Sequence, residues 1–155
     1  MKQYDVITAI LRSYLINDSN ILAWDGWTTA GQPDIYPAYI TYYDNPNYPA
    51  ITICRDYGLT DKQRTGYQEL RYYVHGWFKP QSADDTRAFN TNDCAALYNM
   101  VVNALDVSPI FGYKIKEFAM CRMIDSQLPL YESDTRTTYF MTQWLIKANK
   151  NLMND

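Results

Sequence analysis

The sequence predicts an α+β fold: an antiparallel or mixed sheet of about four to five strands with two helices packed on one face. Three observations carry this. The stretch "GYQELRYYVHGWF" at 66–78 alternates like a strand with one face on a core. Leu70, Tyr72, Val74 and Phe78 point one way with Gly76 among them, and Glu69, Arg71, Tyr73, His75 and Trp77 point the other. Two further stretches, 6–14 and 94–105, place their apolar residues at helical spacing. Finally, the order of elements (helix, strand-compatible stretch, strand, strand, helix, strand, strand) joins strands by hairpins with a helix between the pairs.

In the first helix Val6, Ile7, Ile10, Leu11 and Tyr14 share a face, and Asn17, Asp18, Ser19 and Asn20 are expected to end it. A ring-rich connection follows at 22–49, where Pro33, Pro37, Pro46 and Pro49 oppose helix. Within it residues 38–43 have strand composition, with Asp44-Asn45-Pro46-Asn47 as the turn after them. Ala50–Arg55 is a short strand, 56–66 a polar hairpin loop, and 67–79 the strand that alternates. Cys94, Leu97, Tyr98, Val101 and Leu105 form the apolar face of the second helix. Thr91 is its expected N-cap, and Ser82 with Asp85 offers an earlier start. Strands at Ile115–Ile124 and Thr137–Lys147 complete the set, the latter with Phe140, Thr142, Trp144 and Ile146 on one side. With no internal repeat or linker, residues 1–155 read as one domain.

A chain of 155 residues can bury a core without disulfides or metal. A net charge of −3 argues against a nucleic-acid binder held by its overall field. No apolar run reaches the ~20 residues of a membrane span, and the N-terminus lacks the pattern of a signal peptide. A soluble protein made and kept in a cytoplasm is the expectation. Cys54, Cys94 and Cys121 show no zinc spacing and are expected to be reduced, buried thiols. The composition stands out in its 15 Tyr and 4 Trp, residues favoured where a surface is both apolar and hydrogen-bonding.

Catalytic chemistry is not visible. His75 is the sole histidine, which excludes a histidine metal cluster, and no serine sits in a GxSxG turn. Asp84 and Asp85 lie where the start of a helix favours acids. The six glycines form no phosphate-cradling loop. Arg64, Arg71, Arg87, Arg122 and Arg136 are interleaved with acids, as on solvated faces. The feature above background is the Tyr-rich stretch 36–48. It suits a partner-binding loop, a ring platform for sugars or bases, or a loop folded back with its rings filling the sheet edge.

"YDVITAILRSYL", "YPAITICRD", "YQELRYYVHGWF", "CAALYNMVVNAL" and "TYFMTQWLIKA", in this order across residues 4–147, resemble the tail-terminator (tail-completion) proteins of long-tailed bacteriophages. The resemblance implies a structural virion protein, not an enzyme, with no cofactor and no metal. It implies a ring, usually of six copies, at the head-proximal end of the tail tube, ending tube growth and joining tail to head. Its partners would be other copies of itself, the tail-tube protein and a head–tail connector, assembled in the bacterial cytoplasm without a membrane. DNA would pass through without specific binding, which suits an acidic chain. On this reading Tyr39, Tyr42, Tyr43, Tyr48, Tyr73, His75 and Trp77 are the expected subunit or tail interface, covered by a neighbouring copy or the tube. A head–tail connector or stopper subunit is the alternative within the class. A ligand- or carbohydrate-binding module using the rings of 36–48 is the alternative outside it.

Overall fold

The computed structural model describes residues 5–56, 62–64, 67–78, 91–106, 115–132 and 137–149. The chain forms an α+β fold with a mixed sheet, as the sequence predicts. Helix α1 (Val6–Ile16) opens it, capped by Asp5, whose Oδ1 accepts from the Thr8 N–H at 2.8 Å. The other oxygen of the same carboxylate accepts from the Tyr72 hydroxyl at 2.6 Å, tying the start of the helix to the sheet. The polar run that was expected only to end α1 does more. Asp18 accepts from the Asn20 and Ile21 N–H groups and starts a short second helix, α2 (Ser19–Ala23). Where two helices are expected, three form among the described residues, two of them substantial.

Five strands run side by side in the order β1-β2-β4-β6-β5: β1 (Ile35–Tyr36), β2 (Ala50–Arg55), β4 (Tyr67–Trp77), β6 (Thr137–Asn149) and β5 (Phe118–Glu132). The short β3 (Lys62–Arg64) pairs with the start of β4, inside the stretch expected to be a hairpin loop. β1 runs parallel to β2, and every other pairing is antiparallel. The alternating strand β4 thus lies in the middle of the sheet, hydrogen-bonded along both edges, to β2 and to β6.

One face of the sheet packs on helices α1 and α3 (Thr91–Leu105). Ile51 and Ile53 of β2, Leu70, Tyr72 and Val74 of β4, and Phe140, Trp144 and Ile146 of β6 meet Ile7, Leu11, Leu15, Leu97 and Val101 there. Opposite Gly76, the Phe140 ring lies where a β-carbon would sit, within 2.1 Å of that position, so only glycine fits. Inside this layer the Trp144 indole N–H donates to Thr142 Oγ1 at 2.7 Å, and that hydroxyl donates to the Val74 carbonyl at 2.8 Å. The polar atoms that the core buries here are therefore paired.

Three boundaries differ from expectation. Residues 38–43 are not a strand; a 3₁₀ turn forms at Ile40–Tyr42. The strand expected at Ile115–Ile124 begins at Phe118 and continues through "DSQLPLYE" to Glu132. Thr91 is the first residue of α3 rather than its cap, and 79–90, with Ser82, Asp84, Asp85 and Arg87, lies outside the described residues. Among the described residues no helix is long and apolar enough to cross a membrane.

Candidate functional site

The second face of the sheet carries no helix among the described residues, and most of the aromatic residues singled out above meet there. The alternation of β4 sends Tyr73, His75 and Trp77 to this side, and the register places Cys54, Thr52 and Ala50 of β2 beside them. On the other flank β6 contributes Gln143, Met141 and Tyr139 in the same order. Across one end of this surface folds the connection between β1 and β2, residues 37–49, here called the flap.

Trp77 is fully buried, although no α-helix among the described residues covers it. Its indole N–H donates to Thr52 Oγ1 at 2.8 Å. Tyr139 stacks on it with centroids 4.6 Å apart, and His75 stacks on the other flank at 5.4 Å. From the flap, the Tyr39 ring stands edge-on to both, 5.2 Å from Trp77 and 5.6 Å from His75. Ile40 packs with Trp77 and Ala50 as a second small core, with Tyr36, Tyr48 and Tyr139 against it. The flap is anchored by Tyr36, whose ring packs at a tilt against Tyr43 with centroids 4.5 Å apart and whose hydroxyl accepts from the Asn47 N–H at 3.0 Å. At its far end the Thr28 hydroxyl donates to the Tyr48 carbonyl at 3.0 Å.

The expectation that a neighbouring subunit covers Trp77 and His75 is therefore corrected: this chain's own flap covers them. The physical reason is Ile40 and Tyr39, which bury their apolar surface on the sheet instead of alternating along a strand. Tyr39, Tyr43 and Tyr48 turn inward with them and are only half exposed. Tyr42 is the exception at 80% exposure, and with Pro37, Ala38 and Tyr43 it lines an open cavity of about 370 Å³. Tyr73 lies beyond the reach of the flap. Gln143 Nε2 bridges it to Asp56, donating to Tyr73 Oη at 3.4 Å and to Asp56 Oδ2 at 3.1 Å. Burial, then the Asp56 carboxylate, raises the Tyr73 phenol above its ordinary pKa.

His75 is 7% exposed and its Nδ1 has no hydrogen-bond partner. Burial lowers its pKa to about 4, so the ring is neutral at pH 7. Its neighbours are rings: Tyr39, Tyr73, Trp77 and Tyr139. This is a structural histidine's setting, with neither a nucleophile nor an acid in contact among those ring pairs. The three cysteines are free, with burial raising Cys54 and Cys94 to about 11 and Cys121 to about 12. They are accordingly poor nucleophiles. Among the described residues no three His, Cys, Asp or Glu side chains are grouped to hold a metal ion.

Tyr139 and Thr52 are the members of this surface that residue-by-residue reading missed. The alternation of β6 places Tyr139 opposite to Phe140, on the outer face. Only the pairing of Trp77 with Tyr139, and of His75 with Thr52, shows that they belong here. In comparisons with known proteins, no family model matches the chain and no curated protein matches it.

Proposed function

We propose that this chain is a structural subunit of the tail-terminator kind, closing with copies of itself into a ring at the head-proximal end of a phage tail tube. The observation that supports it is the outer sheet face beyond the flap. Tyr73, Met141, Gln143 and Leu145 lie half-buried side by side there, on a face that no helix covers among the described residues. Aromatic and apolar groups among a few polar ones make the chemistry of an interface core. Ring contacts are head-to-tail and use two different patches of each copy, and the exposed Tyr42 supplies a second apolar feature apart from Tyr73. The ring would end tube growth and receive the head–tail connector in the virion, with DNA passing through its opening.

Native mass spectrometry of the purified chain, alone and with assembled tail tubes, tests this. A closed oligomer in either sample, commonly a hexamer, is the expected result. A strict monomer in both overturns it. One observation favours a second reading: the Tyr42 ring beside its open cavity has the form of a sugar-stacking platform. Saturable oligosaccharide binding by a monomer, lost in Tyr42→Ala, would put a binding module in place of the ring subunit.

A further inference from the structure

The flap closes on a surface that includes one buried nitrogen without a hydrogen-bond partner. His75 Nδ1 is buried without a partner while the flap is down, and a buried nitrogen left unpaired opposes the closed state. On three sides His75 is held by the sheet: its own strand, Thr52 of β2 and Met141 of β6. On the fourth it is covered by Tyr39 of the flap. The hydrogen bonds that turn the flap, from Tyr42 N–H to the Tyr39 carbonyl and from Tyr43 N–H to the Ile40 carbonyl, are internal to it. Its far end is tied to the body by the Thr28 hydroxyl on the Tyr48 carbonyl and by Asn47, which donates to Tyr36 Oη and to Asp34 Oδ1. The part of the flap before Asn47 can therefore lift about that tie without breaking the strand ladder. Lifting it would give the imidazole access to water.

We propose that the flap is a detachable cover, fastened by Tyr39 and Ile40 over His75 and Trp77, and that protonation of His75 releases it. An imidazolium under the closed flap would need acceptors for both of its N–H groups, in a setting of rings. With the flap lifted, water supplies them. The groups that face His75 are Thr52 and Cys54 from β2, Tyr73 and Trp77 from β4, Tyr139, Met141 and Gln143 from β6, and Tyr39 from the flap. Among the described side chains, the carboxylates on this face are Asp56 and Asp125, level with Tyr73 and Gln143, and Glu69, paired with Lys147 further along β4; none is level with His75. The low pKa of the closed state agrees with this direction.

Hydrogen–deuterium exchange of the full chain between pH 7 and pH 4.5, corrected for intrinsic rates, reads the cover directly. Exchange in residues 37–48 should rise roughly tenfold or more as His75 takes up its proton, while peptides of α1 and β6 keep their protection. His75→Phe should remove the pH response, and Asp56→Asn should retain it. Tyr39→Ala should exchange in the flap already at pH 7. If His75→Phe does not fold, His75→Gln, equally unable to protonate in this range, takes its place. Three results would overturn the proposal: flap protection unchanged with pH in the wild type, the same response in the His75 variant, or simultaneous loss of protection throughout the chain. None of these depends on whether the chain forms a ring.

Discussion

At the scale of single residues, three side chains have consequences that can be measured. His75 binds its proton less readily folded than unfolded, about 4 against an ordinary 6.5. Between those values the unfolded chain holds more protons, so stability from this group is complete above about pH 6.5 and falls as pH drops towards 4. The full span is worth about 3 kcal/mol. Melting temperatures recorded from pH 7 to pH 4.5 should fall in the wild type, and His75→Phe should flatten that part of the curve. An unchanged curve in the variant would assign the acid sensitivity to another group. Gly76 allows no side chain because the Phe140 ring occupies its β-carbon position. Gly76→Ala should destabilise by about 1–3 kcal/mol, since both residues are buried and neither can move aside. Asp5 caps α1 and also accepts from Tyr72. Asp5→Ala should cost about 2–3 kcal/mol, while Asp5→Asn should keep part of the cap, and chemical denaturation would separate the two.

Elements were legible where one periodicity dominated. The alternation expected to make a strand of 67–79 and the helical spacing of 6–14 and 94–105 each correspond to one buried face, and strand Tyr67–Trp77 and both helices form there. "AYITYY" at 38–43 misled because β-branched and aromatic residues suit strands in general. The better burial was for Ile40 to enter a small core with Trp77 and Ala50, and a 3₁₀ turn delivers it there. "SQLPLY" misled in the opposite sense. It continues the strand expected at Ile115–Ile124, and Pro129 is accommodated because β5 is an edge, where a missing donor costs no ladder hydrogen bond. That edge is long, and it is interrupted by three register shifts and by the exposed Arg122 and Asp125. Such features keep edges from pairing with other chains. Replacing Arg122 and Asp125 together with Val should therefore raise light scattering at concentrations where the wild type stays clear. The same pair of changes at the exposed helix positions Asn99 and Asn103 should not.

At the scale of the whole molecule, the helices cover one face of the sheet and a part of the same chain covers some of the other. How the rings divide between inside and outside could not be read from residue order, because it depends on where the flap lands. Tyr39 and His75 are 36 positions apart in the numbering and meet only through that folding back. Among the described residues, the large apolar side chains left exposed are Tyr42, with Leu128 at 39% and Tyr131 at 47% exposure on the β5 edge. Tyr42→Ala should change the stability of the isolated chain by no more than about 0.5 kcal/mol. If Tyr42 is an assembly contact, the same change should weaken association by about 2 kcal/mol, roughly thirtyfold. Native mass spectrometry across a dilution series distinguishes this from an assembly that never used the ring. The direction of the smallest strand has the widest reach. Because β1 runs parallel to β2, the chain leaving Tyr36 cannot turn straight into its neighbour and must double back to the beginning of β2. That return journey is the flap. A shortened route would leave β1 only the opposite heading, and a lineage that made that exchange would gain a tight turn at the sheet margin while stripping the cover from Trp77.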